Sequence, residues 1–246
     1  MQICIGFFFV LKLKKNGGRK EMDKKIILIA SPSTGWYNFE AVAALLSLQI
    51  PKGYQFQFNF ISNCLVYDAR EKLVEAAQAV KASHIFFLDS DMVPPANTIE
   101  SMISHDKDII SGMIFRRKFP FQPCFYMKCD VTKTGETIFE GPMEPEKWPK
   151  QGAFEFNGCG MACCLIKMDV FENLKKPYFF PRPNVGEDLT FCLKARKAGY
   201  SIWVDFGVDC GHLGTFPVIK DSYEKAMYAW LKDPANQGKL IFGDEV

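Results

Sequence analysis

The sequence predicts an α/β fold, a mostly parallel sheet flanked by helices. Three observations predict it. From residue 24 onward, short apolar runs alternate with stretches of helical spacing. The runs Ile26 to Ala30 and His84 to Leu88 are almost unbroken by polar residues, as strands buried on both faces must be. The chain has 246 residues, 48% hydrophobic and 24% charged, enough to bury such a sheet within one domain. The same composition excludes a disordered chain, a collagen-like repeat and a charged fibre.

The elements follow in order. Residues 1 to 21 show no usable period: a Phe-rich run passes into LKLKKNGGRKE. Lys12, Lys14, Lys15, Arg19 and Lys20 face only Glu21 there, so the formal +2 of the chain belongs to this leader and the remainder is net acidic. Bulk charge therefore gives no reason to expect nucleic acid as partner. The stretch Ile3 to Leu11 lacks the flanks of a secretory signal. It is also too short to span a bilayer, which needs about 20 residues. The expectation is that Met22 is the native start and that Gly17 to Glu21 is a translated ribosome-binding sequence. The alternative is a segment that touches a membrane surface.

Ile26 to Ala30 is a strand that ends in the loop SPSTG. Phe39 to Leu48 has helical spacing and stops before Pro51. Gln55 to Ile61 alternates Phe with polar residues, a half-buried strand. Asp68 is placed to cap a helix running to about Ala82, with Leu73, Val74, Ala77 and Val80 inward. His84 to Leu88 is a buried strand, Pro95 or Ala96 opens a helix, and Asp108 to Phe115 is a further strand. Residues 116 to 160 are rich in Pro, Gly and aromatics and read as short strands and long loops, an insert. Met161 to Lys167 is a strand and Asp169 to Leu174 a helix. Glu187 to Ala198 is a helix stopped by Gly199. Ser201 to Val204 is a strand, and Phe216 to Trp230 is helical. No repeat or linker interrupts residues 22–246, so one domain is expected.

Nine cysteines, an odd number lying in apolar runs, indicate buried free thiols in a reducing, cytoplasmic setting. A zinc site from Cys124, Cys129, Cys159 and Cys163 is the alternative, although no Cys-x2-Cys pair is present.

The chemistry gathers at three places. Asp89 and Asp91 directly follow a buried strand, and in open α/β sheets ligands bind at the carboxyl end. Two carboxylates one residue apart need neutralising, and a divalent cation that prefers oxygen does so. Glu187 and Asp188 open a helix, where they also complement its dipole. His212 stands between Gly211 and Gly214 just after a strand, a poor place for a core residue, and imidazole ligates manganese better than magnesium. His84 and His105 lack such context and read as structural or exposed.

Four blocks in this order resemble the GT-A fold glycosyltransferases, the family-2-like group. They are ILIASPSTG, FFLDSDMVPP, NGCGMACCLIKMDVFENL and GEDLTFCLKARKAGYSIWVDFGVDCGHLG. The resemblance implies a Rossmann-like domain with residues 22–115 as the nucleotide-sugar half and 116–246 as the acceptor-side half. It implies a UDP- or GDP-sugar donor, a cofactor Mn²⁺ or Mg²⁺, and a hydroxyl acceptor on a glycan, a lipid-linked carrier or a protein. Asp91 and His212 are implied as metal ligands, with Asp89 between ribose and metal and Ser90 on the donor. Ser31, Pro32 and Ser33 match the loop that cups the nucleoside. Arg70 matches a donor-side arginine for base or phosphate, although Glu71 follows it where relatives often carry Asn. Asp188 is implied as the base of an inverting reaction with Glu187 beside it. Asn157 and Gly158 border donor and acceptor. Trp148, Phe154 and Phe156 suit either a sugar floor or the core. Two other readings remain: a nucleotidyltransferase, disfavoured because SPSTGWYN holds no Lys or Arg, and a catalytically silent nucleotide-sugar-binding protein, disfavoured because Asp89, Asp91, Asp188 and His212 are all present.

Overall fold

The computed structural model describes residues 5–9, 24–131, 137–141, 145–214 and 217–236. The amino-terminal part runs β1 (Ile5–Phe9), β2 (Lys25–Ser33), α1 (Phe39–Ser47), β3 (Tyr54–Ser62), α2 (Val66–Ala79), β4 (His84–Leu88), β5 (Met92–Val93), α3 (Thr98–Ser104) and β6 (Ile109–Met113). It continues with β7 (Phe125–Tyr126), β8 (Lys128–Val131), β9 (Thr137–Glu140), β10 (Ala153–Phe156), β11 (Gly158–Cys159), β12 (Cys163–Lys167) and α4 (Asp169–Asn173). The last elements are α5 (Glu187–Lys197), β13 (Ile202–Asp209), β14 (Gly211–Leu213), β15 (Pro217–Val218) and α6 (Lys220–Lys232).

Among the described residues, eight strands form the central sheet in the order β1-β3-β2-β4-β12-β6-β13-β10. Strands β3, β2 and β4 are parallel, and so are β6 and β13. Strand β12 runs antiparallel between β4 and β6, while β1 and β10 are antiparallel edges. Five of the eight strands therefore point one way, the mostly parallel α/β sheet expected of a GT-A fold.

Period-2 alternation along the central strands feeds two layers. Leu28, Ile85, Phe87 and Ile166 pack with Leu73, Val74 and Ala77 of α2, Phe171 of α4 and Phe191 of α5. Ile27, Ile29, Phe86 and Leu165 pack on the other face with Ile99 and Met102 of α3. The near-continuous apolar runs arise because both faces are covered.

Several expectations need correction. Strand β1 lies within the leader, pairing Ile5–Phe9 with Phe58–Ser62. Five residues are too few for a period, and the partner is remote in sequence. Met22 and Gly17 to Glu21 lie outside the described residues. Helix α2 starts at Val66 with Leu65 at its cap position, so Asp68 sits in the first turn and contributes through the helix dipole instead. Strand β2 continues through Ser33, so Ser31, Pro32 and Ser33 are strand residues rather than loop. Strand β13 continues past Val204 to Asp209. Its Asp205 is 1% exposed but accepts hydrogen bonds from Ser101 Oγ at 2.6 Å and Gly207 N at 2.8 Å, with His105 Nε2 at 3.2 Å. His105 is thus structural, as expected. His84 is also buried, with Nδ1 3.0 Å from Ser83 Oγ. In the tail, Phe216 lies outside the described residues and α6 begins at Lys220.

Trp148 and Phe156 belong to the core rather than to a sugar floor. They pack with Phe125 at ring-centroid distances of 5.3 and 5.1 Å, and Trp148 stacks on Tyr223 at 5.5 Å. Phe154 is more exposed and meets Phe206 edge-on. The eight described cysteines are free and six are buried. Among the described residues, no three His, Cys, Asp or Glu side chains converge as a metal-holding group, so the zinc alternative has no support there. No helix of the described residues is long and apolar enough to cross a membrane.

Candidate active site

All five residues of β4 are buried, so Asp89, Ser90 and Asp91 are the first polar residues to emerge at its carboxyl end. Asp89 N donates to Ala162 O at 3.0 Å, and Met92 N closes the turn on Asp89 O at 3.2 Å. Leu213 N donates to Asp91 O at 2.8 Å, and β14 pairs His212 with Met92. These bonds carry His212 to the aspartate turn from 121 residues later in the chain (212 − 91).

The two aspartates have different surroundings. Both Asp89 oxygens are held by Arg70, with Nη1 and Nη2 each at 3.1 Å. Arg70 Nε donates to Glu187 Oε1, also at 3.1 Å. Arg70 is 3% exposed, with its guanidinium 5.2 Å from the centre of the Phe87 ring. Burial alone would weaken the guanidinium charge, but the Asp89 and Glu187 carboxylates more than offset it and raise its pKa. This corrects two expectations. Arg70 is a buried internal counterion rather than a free hand for base or phosphate, and Asp89 is engaged by that arginine rather than open to a metal.

Asp91 is about equally exposed, 27% against 24% for Asp89, but meets different cations. Its Oδ2 lies 3.4 Å from His212 Nε2 and 2.9 Å from Arg117 Nη1. Burial would raise the Asp91 pKa, but the bond to His212 and the nearby charges hold it below the usual carboxylate range. His212 Nδ1 donates to Phe115 O at 2.7 Å and Nε2 faces Asp91; burial lowers the imidazole pKa, but Asp91 and the Phe115 carbonyl more than offset it and favour the ring protonated on both nitrogens. Arg117 was not foreseen. It lies in the turn of a hairpin closed by Cys124 N to Ile114 O and Arg116 N to Gln122 O, both 2.8 Å. The run Arg116-Arg117-Lys118 directly after β6 was the available signal.

Gly186 takes the cap position of α5 and Glu187 and Asp188 fill its first turn. A Cβ on Gly186 would come 2.6 Å from Asp188 Oδ1, so glycine is what leaves room for the carboxylate. Asp188 Oδ1 accepts from Leu189 N at 2.7 Å. Burial, then the adjacent Glu187 charge, push the Asp188 pKa up to about 6.

Other expected residues have mixed fates. Ser33 Oγ accepts from Gly35 N at 3.0 Å and donates to Trp36 O at 3.3 Å, shaping the loop after β2. Ser31 Oγ is buried without a hydrogen-bond partner, and so is Tyr37 Oη, a residue the sequence did not single out. Burial raises the Tyr37 pKa to about 12, so it stays a neutral phenol. Ser31 partly opposes that rise, so the two hydroxyls lie near each other. Asn157 Nδ2 donates to Met127 O at 2.7 Å. Gly158 packs so close to α5 that a Cβ would lie 3.0 Å from Leu189 Cδ2 and 3.2 Å from Cys129 Cβ. These two residues therefore brace the strand beside α5.

No protein-family model matches the chain, and no curated protein matches it either. Solved structures do. A197 from STIV aligns with a TM-score of 0.54 at 18% identity, over 78% of this chain and 86% of that one. GalNAc-T7, crystallised with UDP, GalNAc and Mn²⁺, aligns with a TM-score of 0.51 at 11% identity, over 87% of this chain and 49% of that one. The chain thus spans about half the length of GalNAc-T7 and shares its fold.

Proposed function

We propose that this chain is a metal-dependent glycosyltransferase that moves a sugar from a nucleotide-sugar donor to a hydroxyl acceptor with inversion. The observation that carries the reading is the joining of three separated motifs at the carboxyl end of the sheet. Arg70 bonds Asp89 and Glu187 at 3.1 Å, and Asp91 meets His212 at 3.4 Å. The fold shared with GalNAc-T7, whose crystals hold UDP, GalNAc and Mn²⁺, supports a UDP-sugar as the first donor to try.

The residues fit a divalent cation. His212 spends Nδ1 on a backbone carbonyl, the arrangement that orients a ligating imidazole, and leaves Nε2 beside the Asp91 carboxylate. Asp91 and His212 would hold Mn²⁺ or Mg²⁺, which would act as a Lewis acid on the departing diphosphate. A nitrogen in this donor set favours Mn²⁺.

The protein's own groups do the rest. Ser31 and Tyr37 offer buried hydroxyls to the nucleoside. Burial raises the Asp89 pKa and Arg70 opposes that rise, while the same guanidinium ties the donor-side turn to α5. Asp188, once ionised, takes the proton of the acceptor hydroxyl as it attacks the anomeric carbon. The eight free thiols among the described residues support a reducing, cytoplasmic setting.

The test is release of nucleoside diphosphate from UDP- and GDP-sugars with Mn²⁺, first without acceptor and then with glycan, lipid-linked and protein acceptors. Release that EDTA abolishes and that Asp91→Asn lacks is expected. Full turnover in EDTA would overturn the metal-dependent reading.

A further inference from the structure

Arg70 and Arg117 are opposites. Arg70 is 3% exposed and has three charge-assisted bonds. Arg117 is 54% exposed and its ion-pair partner is Asp91. That pair uses Asp91 Oδ2, the oxygen that also faces His212 Nε2. A guanidinium and an imidazole thus converge on one oxygen of the carboxylate proposed as metal ligand.

We infer that Arg117 holds the place of the metal on Asp91 and, once the metal is bound, becomes a ligand of the donor's diphosphate. The inference rests on the glycosyltransferase reading. Charge requires the exchange. A divalent cation on Asp91 would sit within a few ångströms of the guanidinium, and like charges at that range repel. The side chain is half-exposed, and among the described residues Asp91 is its one ion-pair partner. Diphosphate is the natural new partner. It carries more negative charge than one divalent cation offsets, and the planar guanidinium fork matches phosphate oxygens in a way a lysine ammonium does not. The hairpin that carries Arg117 starts beside Phe115, whose carbonyl anchors His212. Movement at the hairpin turn therefore need not disturb the imidazole.

Two binding measurements on the full chain test this without activity. Free Mn²⁺ is followed by electron paramagnetic resonance in the absence of nucleotide. Arg117→Ala removes a competing cation and should bind Mn²⁺ about two- to fivefold more tightly, the reach of an exposed ion pair. UDP and GDP are then titrated calorimetrically at saturating Mn²⁺. Here the same variant should bind the better nucleotide about ten- to a hundredfold more weakly, the effect of losing a charge-assisted phosphate contact. Arg117→Lys keeps the charge and should recover Mn²⁺ affinity fully but nucleotide affinity only in part. Melting temperature should not move, because the side chain is half-exposed. Unchanged affinities, or both moving in the same direction, overturn the inference while leaving the glycosyltransferase reading intact. Failure of the wild-type chain to bind either nucleotide with Mn²⁺ overturns both.

Discussion

Asp89 and Asp91 stand one residue apart and do different work, and the difference is set by which cation each meets. Asp89 is paired with the buried Arg70, while Asp91 meets His212 and the half-exposed Arg117. Arg70→Met should therefore act on stability first. It leaves the partly buried Asp89 and Glu187 without their counterion, and urea unfolding should show a loss of about 1–3 kcal/mol. Asp188→Asn should leave donor affinity nearly unchanged and cut the transfer rate by about 10²- to 10⁴-fold. The wild-type rate should rise with pH through about 6, because the raised pKa keeps Asp188 protonated and unable to accept a proton below it. The Asn variant should lose that rise, and a rise that persists would assign the titration elsewhere. Asp89, Asp91 and His212 stand out in the sequence because each follows a strand with no core role open to it. The true place of Arg70 does not, because its partners lie 19 and 117 residues away and no local pattern records them. Arg117 was missed because a basic run after a strand reads as a solvated turn.

Elements were legible where burial is continuous and illegible where a polar group is satisfied at a distance. Strands β2, β4 and β6 announce themselves as apolar runs. Strand β13 does not, since Asp205 and Gly207 break its pattern, and Asp205 is made tolerable by Ser101 of α3, by His105 at the end of that helix and by the Gly207 amide. The pairing of β13 with β6 also contains a register irregularity between Asp205 and Asp209. Gly112 of β6 lies against that segment. A Cβ there would come 2.7 Å from Val208 Cγ1 and 3.1 Å from Val208 O. Gly112→Ala should push the strands apart and cost about 1–3 kcal/mol, as overpacking does. Because β13 leads into β14 and His212, the same variant should weaken Mn²⁺ binding. A variant of native stability would show that the irregular segment yields without cost.

The whole molecule carries a pH dependence that has nothing to do with the site. His84 lies at the amino end of β4, and burial followed by the charges of Lys167 and Lys25 lowers its pKa to about 4. The folded value lies below the unfolded one of about 6.5. Stability is thus complete above pH 6.5 and falls as the pH drops toward 4, by up to ~1.4 kcal/mol per pH unit. Urea midpoints at pH 7 and pH 5 should differ for the wild type and differ less for His84→Gln. The sheet order has a separate consequence, which concerns how the chain is made. Strand β12, residues 163–167, hydrogen-bonds between β4 and β6, which are finished by residue 113. A ribosome that has delivered the first half has therefore built two strands whose common neighbour does not yet exist. Until β12 emerges, each presents a bare apolar edge of the kind that pairs with other chains. Such remote pairings are slow to close. The half that carries the aspartates cannot mature ahead of the half that carries Asp188 and His212, so the nascent chain holds no site until residue 212 has been translated.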